Sequence, residues 1–240
     1  MKVVCLVPSI TETLIECGVE VIGRTRYCIH PAQKVDSIPI IGGTKKVDFD
    51  KLSEKPDFVV VDKEENTLET AQSCPFPLLI VHVESLDSLE KELRTMAEKL
   101  NCTRLTNLAT KLNTIRGRKY TTKLERIFES DLSKLNLDQP WVYCIWKNPW
   151  MAVGQNTFIY DMFTELNLEK NLIQFEEKYP KFEYEKYKTE ANFLLSSEPY
   201  PFAKEKEILR QSNAILIDGE NWSWFGVRSI RFLEHLSIDL

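Results

Sequence analysis

Four of the five tryptophans lie in two short segments, residues 146–150 and 222–228, that also carry lysine, asparagine, serine and arginine. Each segment follows a short apolar run that favours a buried strand. Rigid aromatic faces beside a few cationic and amide groups are typical of ligand pockets. Core packing is the competing interpretation, because tryptophan is highly buried on average. We favour a pocket role for at least one segment.

Cys28 and His30 are the soft metal ligands that lie closest together in the sequence. Two ligands do not complete a zinc site, since zinc usually takes three or four protein ligands. A single imidazole or thiolate, however, suffices as an axial donor to a metal already held by a macrocycle. The alternative is that residues 27–31 form a loop in which His30 only hydrogen-bonds. We predict no metal site built by the protein alone.

The acidic run at residues 63–66, Lys-Glu-Glu-Asn, suggests a carboxylate pair for acid–base catalysis or metal binding. The alternative is that Glu65 or Asn66 caps the next helix. No phosphate-binding loop, serine-nucleophile elbow, His-Glu-x-x-His or dinucleotide-binding motif is present in the sequence. The sequence therefore predicts a protein that binds without catalysis, and no residue is assigned a catalytic role.

Composition excludes several classes of protein. The chain has 240 residues, of which 43% are hydrophobic and 28% charged, with a net charge of −5. These values are typical of a globular protein, and the lack of a dense basic cluster argues against nucleic acid as a partner. No apolar run is long enough to span a membrane, so we expect a protein that is not membrane-embedded. The six scattered cysteines predict free thiols, with Cys5 and Cys144 inside strands.

Strands and helices alternate over residues 1–83 and again after Pro140, which predicts parallel βαβ units. Ser9 and Glu12 have the spacing of a capping box that opens the first helix, and Gly18 is placed to end it. Strands are predicted at residues 3–7, 19–24, 38–41, 58–62, 78–83, 141–146, 194–195 and 214–218. Helices are predicted at residues 9–17, 50–54, 65–73, 86–100, 156–166, 204–211 and 227–236.

The middle of the chain is helical in pattern. Thr103 is a good helix start, and apolar spacing from there to residue 129 predicts one helix of about 25 residues, close to 40 Å long. We therefore predict an α/β lobe at residues 1–100, a bridging helix at 101–130 and a second α/β lobe at 131–240.

Seven segments follow the order expected for one known family. They are residues 7–12 (VPSITE), 21–31 (VIGRTRYCIHP), 41–45 (IGGTK), 55–61 (KPDFVVV), 151–158 (MAVGQNTF), 195–200 (LSSEPY) and 218–220 (DGE). The chain resembles, over nearly its whole length, the helical-backbone (class III) substrate-binding proteins of ABC transporters, which include vitamin B12 and ferric siderophore receptors. The resemblance implies an α/β fold of two Rossmann-like lobes with parallel sheets, joined by a long rigid α-helix, with a ligand cleft between the lobes.

The resemblance also implies a ligand and its contacts. A corrinoid, an iron or other metal chelate, or a similar planar ligand would lie in the cleft, with residues 63–66 nearby. Lys147 and Arg228 would bind amide or carboxylate groups at the rim of that ligand. The complete set of implied ligand contacts is Ser9, Thr11, Tyr27, Cys28, His30, Trp146, Lys147, Trp150, Glu198, Tyr200, Trp222, Trp224 and Arg228.

Members of the family are exported and dock onto an ABC permease through exposed acids, for which Glu69 is the candidate in the first lobe. Here Met1 and Lys2 directly precede the first predicted strand, without the pattern of a signal peptide or a lipid anchor. We therefore expect a cytoplasmic relative that binds a small molecule, or a periplasmic protein if a leader has been removed. An exported transporter subunit and a cytoplasmic enzyme that acts on a cofactor in the same cleft are the alternatives.

Overall fold

The computed structural model describes residues 1–211 and 213–238. The chain divides into two compact units. Unit 1 comprises Met1–Thr114 and Trp224–Arg231, and unit 2 comprises Ile115–Ser223 and the chain from Phe232 onward. The chain therefore leaves unit 1, builds most of unit 2, returns to unit 1 for eight residues and leaves it again. The division into 1–100, 101–130 and 131–240 stays a prediction.

Unit 1 is built on a five-stranded parallel sheet in the order β3-β2-β1-β4-β5. Valine and isoleucine dominate the central strands and pack well on a pleated surface, which is why these short runs form strands. Val4, Val59 and Val61 pack with Leu6 and Ile41 in one buried cluster. The strands are β1 (Lys2–Cys5), β2 (Glu20–Thr25), β3 (Ile40–Gly42), β4 (Phe58–Asp62) and β5 (Leu78–Val81).

The first helix, α1, is Pro8–Glu16 and is not capped as predicted. Val7 is the N-cap residue and provides no side-chain cap, while Pro8 occupies the first turn, where its missing N–H costs nothing. The capping box predicted at Ser9 and Glu12 is therefore wrong. Gly18 has a φ of 78°, a left-handed conformation that favours glycine, so the predicted end of the helix is confirmed.

The remaining helices of unit 1 are short, apart from two of fourteen residues each. The helix α3 (Leu68–Gln72) is capped by Thr67, and not by Glu65 or Asn66 as predicted. A 3₁₀ helix at Phe49–Lys51 replaces the helix predicted at residues 50–54. The helices are α2 (Ala32–Val35), α3 (Leu68–Gln72), α4 (Leu86–Lys99) and α5 (Thr103–Arg116), the last of which carries the chain into unit 2.

The long helix predicted from Thr103 to residue 129 is wrong, because α5 ends at Arg116. After Gly117 the chain forms β6 (Lys119–Tyr120), which pairs antiparallel with β11 (Ser237–Ile238). The backbone groups of these residues thus bond to a strand far away in the sequence, a pairing that helical spacing cannot reveal. A separate helix, α6 (Leu124–Phe128), follows.

Unit 2 contains a four-stranded sheet in the order β10-β9-β7-β8. β7 (Trp141–Trp146), β9 (Asn192–Ser196) and β10 (Ala214–Ile217) are parallel, as predicted, and β8 (Met151–Ala152) runs antiparallel to β7. Phe193 and Leu195 of β9 are fully buried in its core. The helices are α7 (Phe158–Glu165), α8 (Tyr184–Tyr187), α9 (Lys206–Leu209), α10 (Gly219–Ser223) and α11 (Val227–Leu236), which runs from unit 1 into unit 2.

Within residues 1–211 and 213–238, no helix is both long and apolar enough to cross a membrane. Cys5 and Cys144 lie buried in β1 and β7, the positions predicted for them.

Candidate functional site

Five of the predicted contacts in unit 1 follow the carboxyl ends of the neighbouring parallel strands β1 and β2. In open parallel sheets, ligands bind outside this edge. Tyr27 is 53% exposed, and Ile29 beside it is 50% exposed. His30 is half-buried. The loop after β2 thus presents an aromatic and an aliphatic side chain at the surface.

Thr11 and Cys28, by contrast, are completely buried. Oγ1 of Thr11 lies 2.9 Å from the carbonyl oxygen of Val7 and 3.1 Å from Sγ of Cys28. Burial raises the pKa of the Cys28 thiol, so the thiolate that a metal would need is disfavoured. The two side chains join α1 to the loop after β2, and their burial opposes the predicted ligand contacts.

Ser9 has a different character. It is 5% exposed, and its Oγ is buried without a hydrogen-bond partner among the described residues. It lies in the first turn of α1, where backbone N–H groups have no partner within the helix. This turn therefore combines an unpaired hydroxyl with the positive end of a helix dipole.

Trp224 and Arg228, which the sequence groups with the second lobe, belong to unit 1. Arg228 binds the carboxylate of Glu12 in a bidentate pair, with Nε and Nη2 at 2.9 and 2.8 Å. Its guanidinium also lies 5.2 Å from the centre of the Trp224 ring, and His30 meets that ring edge-on at 5.3 Å. The guanidinium of Arg228, which was predicted to bind a ligand, therefore pairs with Glu12, a residue predicted to cap the first helix.

The segment that carries Trp224 and Arg228 is seated tightly on α1. The backbone N–H of Val227 donates to Oγ1 of Thr13 at 3.0 Å. Gly226 has a φ of 117°, and a Cβ there would lie 2.1 Å from the same oxygen. Only glycine fits this approach without displacing Thr13.

In unit 2, Trp146 is the exposed member of the tryptophan segments. It is 40% exposed and packs edge-on against Tyr200, with ring centres 5.3 Å apart. Nζ of Lys147 lies 2.6 Å from Oε2 of Glu205, and the Tyr200 hydroxyl lies 2.6 Å from Oε1 of the same carboxylate. The Lys147 ammonium, followed by the Tyr200 hydroxyl, holds the pKa of Glu205 below its usual value. Glu205 thus orients Lys147 and Tyr200, although no sequence pattern indicated Glu205 as a site residue.

Trp150 and Trp222 pack within unit 2. Trp150 is half-buried and stacks on Tyr184 with ring centres 4.6 Å apart. Trp222 is 1% exposed and stacks on Phe163 at 4.4 Å and Phe128 at 5.8 Å. It lies in α10, not in the loop that was expected after the strand. The predicted ligand contact at Trp222 does not agree with its place in the core.

Glu198 accepts a hydrogen bond from the hydroxyl of Ser223, so two predicted segments of unit 2 meet here. Cis peptide bonds occur at His30–Pro31, Asn148–Pro149 and Glu198–Pro199, each within a predicted site segment.

No protein-family model matches the sequence, and no curated protein sequence matches it. Solved structures do match. The vitamin B12 binding protein BtuF of Vibrio cholerae, a periplasmic protein, aligns over 98% of this chain and 94% of its own, at 13% identity and a TM-score of 0.68. A periplasmic heme-binding protein of Pseudomonas aeruginosa aligns over 98% and 90%, at 14% identity and a TM-score of 0.72. IsdE of S. aureus, solved with heme, aligns over 98% and 96%, at 12% identity and a TM-score of 0.72.

The chain has the fold of these binding proteins. The match covers both units, so the two-lobed α/β fold with parallel sheets inferred from the seven sequence segments is confirmed. At these identities the similarity establishes the fold alone.

Proposed function

We propose that this protein binds, without transforming it, a broad planar ligand such as a corrinoid, heme or another metal chelate. The observation that carries the proposal is the match of nearly the whole chain to a vitamin B12 binding protein and to heme-binding proteins. Because one fold can serve many functions, the side chains of this chain must support the ligand class independently.

In unit 1 the proposed ligand contacts are Tyr27, His30 and Ser9. The exposed face of Tyr27 supplies rigid apolar area of the kind that a flat ring buries. His30 is the residue we propose as donor to a metal carried by the ligand, and Trp224 fixes one side of its ring. The unpaired hydroxyl of Ser9, beside the start of α1, suits an anionic group such as a propionate or a phosphate.

In unit 2 the proposed contacts are Trp146, Tyr200 and Lys147. Trp146 and Tyr200 form an edge-on aromatic pair, of which Trp146 is the exposed member. Lys147 provides a cation beside that pair, held by Glu205. We propose supporting roles for Trp150, Glu198, Trp224 and Arg228, and no ligand contact for Thr11, Cys28 and Trp222. The cleft between the lobes stays a prediction.

The test is a titration with cyanocobalamin and with hemin, followed by tryptophan fluorescence and visible absorbance. We expect a Kd at or below about 1 μM for one of them. Trp146→Ala and Tyr27→Ala each weaken binding about tenfold, because each removes aromatic contact worth roughly 1.4 kcal/mol. Leu137→Ala is the matched control, since Leu137 is 50% exposed and precedes β7, at the opposite edge of the same sheet.

The same titration separates the ligand classes, and mass spectrometry tests for enzyme action. If the ligand is hemin, His30→Ala shifts its main absorption band; if it is a corrinoid without an open axial position, His30→Ala leaves the spectrum unchanged. Mass spectrometry of the released ligand should return it unaltered. No spectral response to either ligand, or equal losses of affinity in Leu137→Ala and Trp146→Ala, would contradict the proposal.

An ABC permease is the protein partner we propose, since a structure with this fold is an ABC-transporter substrate-binding protein of Listeria monocytogenes. Ligand-dependent stimulation of a reconstituted permease and its ATPase tests this pairing. The cytoplasmic location expected from the sequence stays a prediction, which cell fractionation checks.

A further inference from the structure

Two acids and a histidine meet in unit 1, beyond the carboxyl ends of β4 and β5. Glu64 lies two residues beyond β4, and His82 and Glu84 lie just beyond β5. Each offers one potential ligand atom, and these three atoms lie within 4.8 Å of one another. Nε2 of His82 is 3.1 Å from Oε2 of Glu84. Among the described residues, Glu64, His82 and Glu84 form the one group of three potential metal ligands whose ligand atoms lie this close together.

The spacing suits a single ion. Metal bonds to imidazole nitrogen and carboxylate oxygen are about 2.0–2.2 Å long, so two ligands of one tetrahedral ion lie roughly 3.4 Å apart. Glu64 is exposed, and the side chains of His82 and Glu84 are 30% and 37% exposed. Small rotations of these glutamates therefore bring all three donors to bonding distance without moving the core.

The donor types select the ion. The imidazole nitrogen argues against calcium and magnesium, because both ions prefer oxygen ligands. One nitrogen with two carboxylate oxygens suits zinc and similar divalent transition metals. Three protein ligands leave further coordination positions for water or for a donor atom of another molecule.

The backbone beneath each ligand is held by other residues. The buried carboxylate of Asp62 accepts the N–H of Glu64 at 2.7 Å, which fixes the turn after β4. The N–H of His82 donates to Glu92 at 3.2 Å. The N–H of Glu84 bonds to Oγ of Ser88, which also closes the capping box of α4. Such supporting contacts orient ligands in metal sites.

The surrounding charge also favours a cation. Asp62 and Glu92 interact electrostatically with His82 and with each other, and Asp62 also with Glu64. Lys63 is the neighbouring cation that acts on Glu92. A bound divalent ion would reduce the repulsion among these carboxylates.

We propose that Glu64, His82 and Glu84 bind a divalent transition-metal ion of the zinc type. None of these three residues belongs to the contacts proposed above for the planar ligand. The sequence suggests a carboxylate pair within residues 63–66; the structure instead joins Glu64 to two residues that follow the next strand.

Calorimetry with Zn²⁺ on protein stripped of metal tests the site in a Cys74→Ser/Cys102→Ser background, which removes the two less buried thiols. We expect one ion per chain, and a loss of affinity of about 100-fold or more in His82→Ala and in Glu84→Gln. His235→Ala and Glu69→Gln are the matched controls, an exposed histidine and an exposed glutamate elsewhere, and should bind as the parent does. Mg²⁺ should not compete.

Nuclear magnetic resonance of the parent protein provides a second readout that needs no variant at the site. The sequence has three histidines, so their ring signals can be separated. Zn²⁺ should move the signals of His82 and leave those of His30 and His235 in place. Binding that survives His82→Ala in folded protein, or a shift confined to His30 or His235, would overturn the proposal. Unchanged hemin or cobalamin titrations in Glu84→Gln would show that the two sites are separate.

Discussion

The tryptophan-bearing segments of the two units look alike in sequence but differ in what holds them. In unit 1, Trp224 lies against a charged pair, Arg228 and Glu12, and the segment is fastened to α1 through Thr13. In unit 2, Trp222 lies in an aromatic cluster with Phe128 and Phe163, whereas Trp146 is 40% exposed. Trp224 thus packs against an ion pair, while Trp222, two residues earlier, packs in an apolar core. Position after a strand cannot distinguish these roles, but the partners of each ring can.

The largest effect should come from the core tryptophan. Trp222→Ala removes a fully buried indole, so we expect a loss of about 3–5 kcal/mol in the free energy of unfolding, measured by urea denaturation. Trp146→Ala should cost less than about 1 kcal/mol, because its ring is already 40% exposed. Equal costs would remove the distinction between the two rings.

Next in size is the charged pair of unit 1. Arg228→Ala leaves the carboxylate of Glu12, whose side chain is 7% exposed, without its partner, and we expect a loss of about 2–3 kcal/mol. Arg231→Ala is the control on the same helix, since Arg231 pairs with Glu16 at the surface and should cost less than about 1 kcal/mol. Equal losses in the free energy of unfolding would show that the pair with Glu12 stabilises the protein no more than the surface pair does.

The ligand contacts should behave in the opposite way. Tyr27→Ala and Trp146→Ala are expected to weaken ligand binding about tenfold each while the unfolding midpoint stays within a few degrees of the parent. Trp222→Ala should instead act through stability. Trp222→Phe, which keeps an aromatic ring in the core, should therefore bind normally. A Trp222→Phe protein that is stable yet unable to bind would assign Trp222 to the ligand after all.

The smallest effect concerns pH. The guanidinium of Arg231, and then the ammonium of Lys34, hold the pKa of Glu16 below its ordinary value of 4.5. A lowered pKa in the folded state contributes stability above the unfolded value, and that contribution is lost as the pH falls through the folded value. Glu16→Gln should therefore cost less than about 1 kcal/mol at neutral pH, and this cost should shrink as the pH falls below 4.5. A cost that persists in acid would indicate packing, not charge.

Much of the fold could be predicted, since hydrophobic runs such as Phe58–Asp62 and Trp141–Trp146 became strands at the stated bounds. Local spacing failed where distant residues decide the structure. The predicted long helix ends early, where β6 pairs antiparallel with β11. Glu12 was predicted to cap the first helix, but its carboxylate binds Arg228. Tyr27 and Trp146 are exposed, as predicted ligand contacts should be. Thr11, Cys28 and Trp222 are buried, and their burial depends on packing that no local pattern encodes.

Gly226 and its neighbours have a consequence for how the protein is made. Residues 224–231 complete unit 1, although almost the entire second unit is synthesised before them. Domains generally fold as units during synthesis, the N-terminal one first. The first 114 residues therefore leave the ribosome with the carboxylate of Glu12 unpaired and Thr13 uncovered, until residues 224–231 have been synthesised. A nonsense codon near position 220 would therefore damage the beginning of the protein as much as its end.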